Sequence, residues 1–192
     1  NRVSEIPLLV GVFTNLTRDH LDFHSSFENY KNSKLRLLNL MVKEGTVVYN
    51  LDDQLAKEIN ARYKGKTIGY GTKGNYQDLN PSRQIYAEIE TTTNKETRFQ
   101  LHYRNNTYRI TSPLLGRHNV YNIMAAFGAG AALELDHRAL IEGLVSLTSV
   151  PGRLVSVPNN RGLSVFIDYA HTDDALKNVI NSVREFTNGR VI

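Results

Sequence analysis

The stretch that decides the fold is LLVGVFTNLTRDHLDFH, residues 8–24. Its apolar start, Leu8 to Phe13, predicts a buried β-strand. Directly after it, residues 15–24 carry an amide, carboxylates and two imidazoles. Open α/β sheets bind ligands at the carboxyl ends of their strands. The stretch therefore predicts an α/β fold with a site at the end of the first strand.

The segments that follow alternate between helix and strand patterns. We predict a helix over 25–42, with Ser25 and Glu28 at capping-box spacing, and then a strand, a helix and a strand over 46–49, 53–63 and 67–70. Such alternation is typical of a mostly parallel sheet flanked by helices.

The pattern changes in the second half of the chain. Residues 84–111 alternate between polar and apolar with turn signals between them, which predicts a small antiparallel meander of three strands. Helices are predicted over 119–135 and 137–147, and the Pro- and Gly-containing stretch 149–161 has the composition of a linker. A strand over 163–167 and a helix over 173–186 would form the first βα unit of a second, Rossmann-like domain. We therefore expect domains at 1–149 and 150–192.

Composition excludes several classes of function. The 192 residues hold 23 Lys and Arg against 19 Asp and Glu, a formal charge of +4 that is dispersed along the chain, so nucleic-acid binding is not supported. The absence of cysteine excludes a disulfide framework or a thiolate metal site and is consistent with the cytoplasm. No apolar run approaches the roughly 18 residues of a membrane span.

Lys34 is the first candidate site residue. On a helix over 25–42 it would lie in the middle of an apolar stripe. Burial favours the neutral, nucleophilic amine, which can capture carbon dioxide as an anionic carbamate. A lysine that extends its aliphatic stem to reach solvent is the ordinary alternative, and Lys31 is the competing candidate.

His20, with Asp19 and Asn15, is the second candidate. One imidazole, an oxygen ligand and substrate phosphates make a plausible partial shell for Mg²⁺. Polar residues after a strand can equally cap the next helix. Only the tertiary fold could bring His20 and Lys34 together.

Two further motifs lie in the second half of the chain. Asn119 and Asn122 are three residues apart at the start of a predicted helix, where two amides could bind a base edge, although Asn119 could simply be the N-cap. Asp168, in the motif Asp168-Tyr169-Ala170-His171, follows a predicted strand and could bind ribose hydroxyls. The alternative there is a helix cap at Thr172 or Asp173.

Together these segments resemble the Mur ligase family. The motifs that carry the resemblance are FTNLTRDHLDFH (13–24), residues 30–37 around Lys34, GRHNVYN (116–122), VPGR (150–153) and DYAHT (168–172). They follow one another in the family's order over essentially the whole chain. Within the family they favour the ligases that add the third residue to UDP-N-acetylmuramoyl-L-alanyl-D-glutamate, with meso-diaminopimelate ahead of L-lysine as the commoner choice.

The resemblance implies an ATP-dependent amide ligase that proceeds through an acyl phosphate. It implies that His20 and the carbamate of Lys34 hold Mg²⁺, that Asn119 and Asn122 lie near the adenine, that Arg153 and His171 lie near the nucleotide, and that Asp168 lies near its ribose. Arg2 matches an arginine that contacts the UDP-sugar. The expected partners are the UDP-muramoyl dipeptide and an amino acid, with no nucleic acid or membrane, and we expect a monomer.

The chain also departs from the family pattern. Asp173 replaces the usual Pro and Val155 the usual Glu. The phosphate-binding loop and the motif that selects the third amino acid are missing, so we expect a piece of a longer enzyme that is inactive by itself. Folylpolyglutamate or cyanophycin synthetase, and a non-catalytic nucleotide-binding subunit of the same fold, are the alternatives.

Overall fold

The chain folds around one large mixed sheet. The computed structural model describes residues 5–17, 26–72 and 80–192. Within these ranges the strands are β1 (Leu8–Phe13), β2 (Met41–Asn50), β3 (Lys66–Gly71), β4 (Gln84–Thr92), β5 (Thr97–Tyr103), β6 (Asn106–Ser112), β7 (Val155–Val157) and β8 (Val165–Ile167). The α-helices are α1 (Phe27–Leu35), α2 (Leu55–Arg62), α3 (Arg117–Ala132), α4 (His137–Ser146) and α5 (Asp173–Glu185).

The six strands β1 to β6 lie in the sheet in chain order. The first four are parallel, whereas β4, β5 and β6 pair antiparallel. The predicted mostly parallel sheet and the antiparallel meander are both confirmed. The meander is not an appendage, however, because β4 pairs with β3 and so continues the same sheet. The carboxyl ends of β1, β2 and β3 therefore lie side by side at one edge.

Both faces of the sheet are covered at β2, as the apolar sequence of that strand requires. Val47, Val48 and Tyr49 are all 0% exposed. Val47 and Tyr49 belong to a core with residues of α1 and α2, while Val48 belongs to the core under α3. Successive residues of a strand point to opposite faces, so such a run marks a strand with helices on both sides.

The predicted helix over 25–42 is wrong at its carboxyl end. α1 stops at Leu35, a 3₁₀ turn covers Arg36–Leu40, and Met41 already pairs with Leu8 in the sheet. Pairing with β1 outweighs the local helical pattern, a common tertiary override of propensity. At the other end the N-cap is Ser26 rather than Ser25, since its hydroxyl accepts a hydrogen bond from the Asn29 amide at 3.1 Å.

The stretch predicted as a linker, residues 149–161, contains β7, so that prediction is also wrong in part. β7 pairs antiparallel with β8 in a separate small sheet. The predicted βα unit is confirmed as β8 followed by α5, whose N-cap is Thr172. The division of the chain at Val150 lies between α4 and β7 and stays a prediction.

No helix in the described ranges is long and apolar enough to cross a membrane.

Candidate functional site

An open cleft separates the first turn of α3 from the turn between β8 and α5. It consists of two adjoining cavities of about 470 Å³ and 500 Å³. The residues that line both are Thr14, Asn15, His118, Asn122 and Asn178. We call this space the α3–α5 cleft. Its floor is the loop after β1, so it lies at the carboxyl edge of the parallel strands, where the sequence predicts a ligand.

Gly116 allows α3 to begin at this position. It is the N-cap residue with φ +83°, a region that side chains with a Cβ rarely adopt. A Cβ there would also lie 3.2 Å from the Cβ of Ser182 on α5. A glycine therefore permits both the backbone turn and the close approach of α5.

The two asparagines of this turn have different roles. Asn119 is buried, and its Nδ2 donates to the Leu115 carbonyl at 2.8 Å while its Oδ1 accepts from Asn122 Nδ2 at 3.1 Å. Asn122 itself lines the cleft. Because Gly116 is the N-cap, the interpretation of Asn119 as a cap is wrong. Asn119 instead holds Asn122 in the orientation that faces the cleft.

His118 is a site residue that the sequence analysis passed over. Both of its ring nitrogens are buried and have no hydrogen-bond partner in the described part of the chain. Burial lowers the pKa of His118. The negative charge of Asp168 opposes this shift, and the positive charge of Arg153 adds to it. The signal was available, since His118 lies four residues before Asn122 and shares its face of the helix.

The Asp168 carboxylate, directly after β8, links the residue before β7 to the turn that follows β8. One oxygen accepts from the Leu154 amide and the other from the Ala170 amide, both at 2.8 Å. The helix cap is Thr172, as the alternative interpretation expected. Asp168 is thus free of any capping role, and it lines the cleft opposite Asn122. Each carboxylate oxygen can accept more than one hydrogen bond, so both remain able to bind hydroxyls.

Arg153 and His171 lie on the same side of the cleft as Asp168. The tight turn before Arg153 places Gly152 at φ +73°, and the Gly152 carbonyl accepts from the Tyr169 amide at 3.0 Å. His171 Nδ1 lies 2.8 Å from the Tyr169 carbonyl, which makes Nδ1 the protonated nitrogen and directs Nε2 away from that bond. Four predicted residues, Asn122, Arg153, Asp168 and His171, therefore line one cavity.

The two candidate lysines differ in their surroundings. Lys31 pairs with Glu28 at 2.8 Å and with Glu58 at 2.5 Å, and these carboxylates raise the pKa of Lys31. A raised pKa disfavours the neutral amine that carbamate formation needs. The half-buried Lys34 has its Nζ over the ring of Tyr30, 5.1 Å from the centroid. It is not among the described residues that line the α3–α5 cleft.

Two predicted site residues, Arg2 and His20, lie outside the described residues. The predicted pairing of His20 with Lys34 stays a prediction for that reason. In the ranges that the structure does describe, no three His, Asp or Glu side chains form a cluster able to hold a metal ion.

Residues 1–130 match the profile of the Mur ligase middle domain. The chain belongs to the Mur ligase family. The family resemblance drawn from the sequence motifs is confirmed, because the match covers more than half of the chain and includes the motifs at 13–24 and 116–122.

Individual Mur ligases match this family member over its full length. The UDP-N-acetylmuramoyl-L-alanyl-D-glutamate--2,6-diaminopimelate ligase of Geobacter metallireducens is 41% identical over 197 residues, which cover 100% of this chain and 37% of the relative. A ligase of the same name from Clostridium acetobutylicum is 36% identical and is covered to 38%. The chain therefore spans less than two fifths of the length of these relatives.

Solved Mur ligase structures share the fold. A structure of a UDP-N-acetylmuramoyl-L-alanyl-D-glutamate--2,6-diaminopimelate ligase matches with a TM-score of 0.74 and 29% identity, covering 97% of this chain and 38% of the other. MurF from Acinetobacter baumannii matches with a TM-score of 0.79 at 20% identity, covering 93% and 38%. At that identity the second match supports the fold alone.

Proposed function

We propose that the chain is the nucleotide-binding part of a ligase that adds the third amino acid, meso-diaminopimelate, to UDP-N-acetylmuramoyl-L-alanyl-D-glutamate. In this proposal residues 1–149 belong to the central, ATP-binding domain and residues 150–192 begin the C-terminal domain. The observation that carries it is the α3–α5 cleft, lined by Asn122 on one side and by Arg153, Asp168 and His171 on the other. The named relatives support the choice of amino acid.

The lining of the cleft suits a nucleotide. Asn122 donates one N–H to Asn119, so its other N–H and its Oδ1 can pair with the donor and acceptor edge of adenine. The Asp168 oxygens are acceptors suited to ribose hydroxyls. The two buried, unpartnered nitrogens of His118 are polar atoms that a bound ligand or water would satisfy.

Arg153 supplies the positive charge of the site. It is exposed at the cleft wall and its field already reaches His118. A guanidinium can form two parallel hydrogen bonds to phosphate oxygens. We assign it to the phosphates, where it would stabilise the charge that moves onto ADP.

The proposed chemistry consists of two displacements. A carboxylate oxygen of the muramoyl dipeptide attacks the γ-phosphorus of ATP, the bond to the ADP oxygen breaks, and an acyl phosphate forms. The amine of the third amino acid then attacks the acyl carbon, inorganic phosphate leaves, and the amine loses a proton to give the amide. The protein contributes mainly position and charge neutralisation to such transfers.

The residues proposed to hold Mg²⁺ are His20 and the carbamate of Lys34. A divalent ion there would neutralise negative charge on the triphosphate. The ion pairs of Lys31 support Lys34 over Lys31 as the modified lysine, because Lys31 is held as an ammonium. Arg2 is assigned to the UDP-sugar by the family motif alone. We expect the ligase to act as a monomer in the cytoplasm.

The test uses the full-length ligase that contains this chain. Phosphate release is measured with ATP, the UDP-muramoyl dipeptide and either meso-diaminopimelate or L-lysine. We expect release that depends on both substrates and is faster with meso-diaminopimelate. Arg153→Ala should raise the KM for ATP about tenfold, the effect of losing a charge-assisted phosphate contact. The matched control is Arg161→Ala, which removes an exposed arginine outside the cleft lining.

Phosphate release that needs neither the dipeptide nor the amino acid would refute the ligase proposal. An unchanged KM for ATP in Arg153→Ala would refute the assignment of the cleft.

A further inference from the structure

A short segment after β2, residues 50–54, contacts three separate parts of the carboxyl edge of the sheet. Its sequence is NLDDQ, and we call it the 50–54 segment. Asn50 Oδ1 accepts from the Asp52 amide at 2.9 Å, a local turn that fixes the shape of the segment. From this turn the side chains at 50, 52, 53 and 54 reach the loop after β1, the end of β3 and the first turn of α3.

The first set of contacts holds the loop after β1. Asn50 Nδ2 donates to the Thr14 carbonyl at 3.0 Å, Asp53 Oδ2 accepts from the Leu16 amide at 2.8 Å, and Gln54 Nε2 donates to the Leu16 carbonyl at 2.7 Å. The Leu16 side chain is 2% exposed in the core below. The loop after β1, which forms the floor of the cleft, is therefore held at the Leu16 amide, at the Leu16 carbonyl and by the buried Leu16 side chain.

The second set of contacts holds the first turn of α3. Asp52 Oδ2 accepts from the Thr72 amide at 2.9 Å and from the Tyr121 hydroxyl at 2.7 Å. Arg117 Nη2 donates to Thr72 Oγ1 at 2.6 Å. Asp52 thus links the end of β3 to the turn that presents His118 and Asn122 to the cleft.

Helix capping does not account for these contacts. Asp53 Oδ1 does accept from the Leu55 amide at the start of α2, at 2.9 Å, but the N-cap residue of that helix is Gln54. Capping needs only one oxygen, and the other binds Leu16, 37 residues away in sequence. The Asp52 contact with Tyr121 spans 69 residues and involves no helix cap.

We propose that the 50–54 segment sets the distance between the floor of the α3–α5 cleft and its α3 wall, with Asp53 positioning the loop after β1 and Asp52 positioning the start of α3. This inference rests on the proposed function for its effect on catalysis. His20 follows Thr17 by three residues in the sequence, so the Asp53 contacts should govern the use of Mg²⁺. The Asp52 contacts should govern the binding of ATP through Asn122. Both aspartates line the second cavity of the cleft, and both act here as positioning residues through the hydrogen bonds described above.

The experiment separates the two sets of contacts in the full-length ligase. Asp53→Asn keeps the size of the side chain, but its single oxygen can no longer accept from both Leu16 and Leu55. We expect the Mg²⁺ concentration for half-maximal activity to rise roughly fivefold or more, with the KM for ATP changed less than about twofold. Asp52→Ala, which removes the oxygen that accepts from both Thr72 and Tyr121, should show the reverse pattern. Asp136→Asn is the matched control, because Asp136 caps α4 through the Ala139 amide and lies outside the cleft lining.

A second measurement does not depend on activity. Hydrogen exchange at the Leu16 amide should accelerate about tenfold or more in Asp53→Asn, and exchange at the Thr72 amide should do so in Asp52→Ala. If either aspartate variant does not fold, Gln54→Ala removes one contact of the first set, and Tyr121→Phe removes the hydrogen bonds of the Tyr121 hydroxyl with Asp52 and Thr72. They should give the same patterns with smaller changes.

The outcomes distinguish this inference from the proposed function. Exchange rates equal to those of Asp136→Asn at both amides would overturn the inference. Altered exchange with unchanged Mg²⁺ and ATP dependence, or with one dependence changed equally by both variants, would overturn it as well. If hydrogen exchange accelerates at both amides as expected but the wild-type enzyme has no ligase activity, the proposed function fails, and the positioning of the cleft floor and of the α3 wall stands.

Discussion

Replacing Asn119 by Ala should destabilise the protein and impair nucleotide binding at the same time. The Asn119 side chain is 1% exposed and donates to the carbonyl of Leu115, a residue that is itself 3% exposed. A lost neutral hydrogen bond typically costs about 1 kcal/mol, and the cost is about 1 to 3 kcal/mol when the loss leaves a buried carbonyl without its donor. We therefore expect a loss of about 2 kcal/mol in the free energy of unfolding.

The measurement is thermal unfolding of the full-length ligase, with the transition of the region around α3 followed by hydrogen exchange. For a domain of this size, about 2 kcal/mol corresponds to a midpoint roughly 4 to 8 °C lower. Asn122→Ala is the matched comparison. The Asn122 side chain is exposed, and its hydrogen bond goes to the Asn119 side chain rather than to a buried backbone group. It should shift the midpoint by less than about 2 °C while raising the KM for ATP.

Equal midpoints for Asn119→Ala and Asn122→Ala would refute this reasoning. So would a normal KM for ATP in Asn119→Ala, because Asn122 would then keep its orientation without the bond from Asn119.

Three further predictions concern the core, the buried imidazole and the lysines. Gly128→Ala should cost about 1 to 3 kcal/mol, since its Cβ would lie 2.8 Å from Val48 Cγ1, whereas Gly143→Ala, with nothing within 4 Å, should be neutral or stabilising in the same thermal assay. Burial lowers the pKa of His118, so the unfolded state binds the proton at a higher pH than the folded state does. The free energy of unfolding should therefore fall as the pH drops below about 6.5. In His118→Gln the unfolding midpoint, measured against pH, should fall less steeply. Lys34→Ala should abolish ligase activity and added short-chain carboxylic acids should restore part of it, while Lys31→Ala should stay active; full activity of Lys34→Ala would exclude the metal-site role.

The parallel half of the fold could be predicted because its strands carry a signal that local sequence contains. Leu8 to Phe13 and Thr46 to Tyr49 are short apolar runs between polar turns, and both form strands. Thr46 to Tyr49 is covered on both faces, whereas the predicted burial of β1 is only partly right, because Leu9 and Val12 are exposed. The end of α1 could not be predicted in this way. Leu37, Leu38 and Met41 keep helical spacing in the sequence. In the structure they pack against the same core from a 3₁₀ turn and from a strand, because Met41 pairs with Leu8.

The cleft was predictable where one residue type has one plausible chemistry after a strand or at a helix start. Asn122, Arg153, Asp168 and His171 were all selected from sequence, and they line one cavity. The division of labour between Asn119 and Asn122 was not predictable, because it depends on which side of the first turn faces the core. His118 could have been selected with Asn122, whose face of the helix it shares, but the burial of its two ring nitrogens is visible only in the fold.

The 50–54 segment shows most clearly what local sequence cannot reveal. Two adjacent aspartates after a strand predict the start of a helix, and Asp53 Oδ1 indeed accepts from the Leu55 amide at the start of α2. Their second bonds, to Leu16 and to Tyr121, join residues 37 and 69 positions apart, and these distances close only when β1, β2, β3 and α3 meet at one edge. A carboxylate that accepts from an amide at a helix start and from a distant backbone amide couples these two segments of the chain. Moving either segment leaves a charged oxygen partly unsatisfied. The geometry of the cleft therefore depends on residues that only the fold identifies as part of the site.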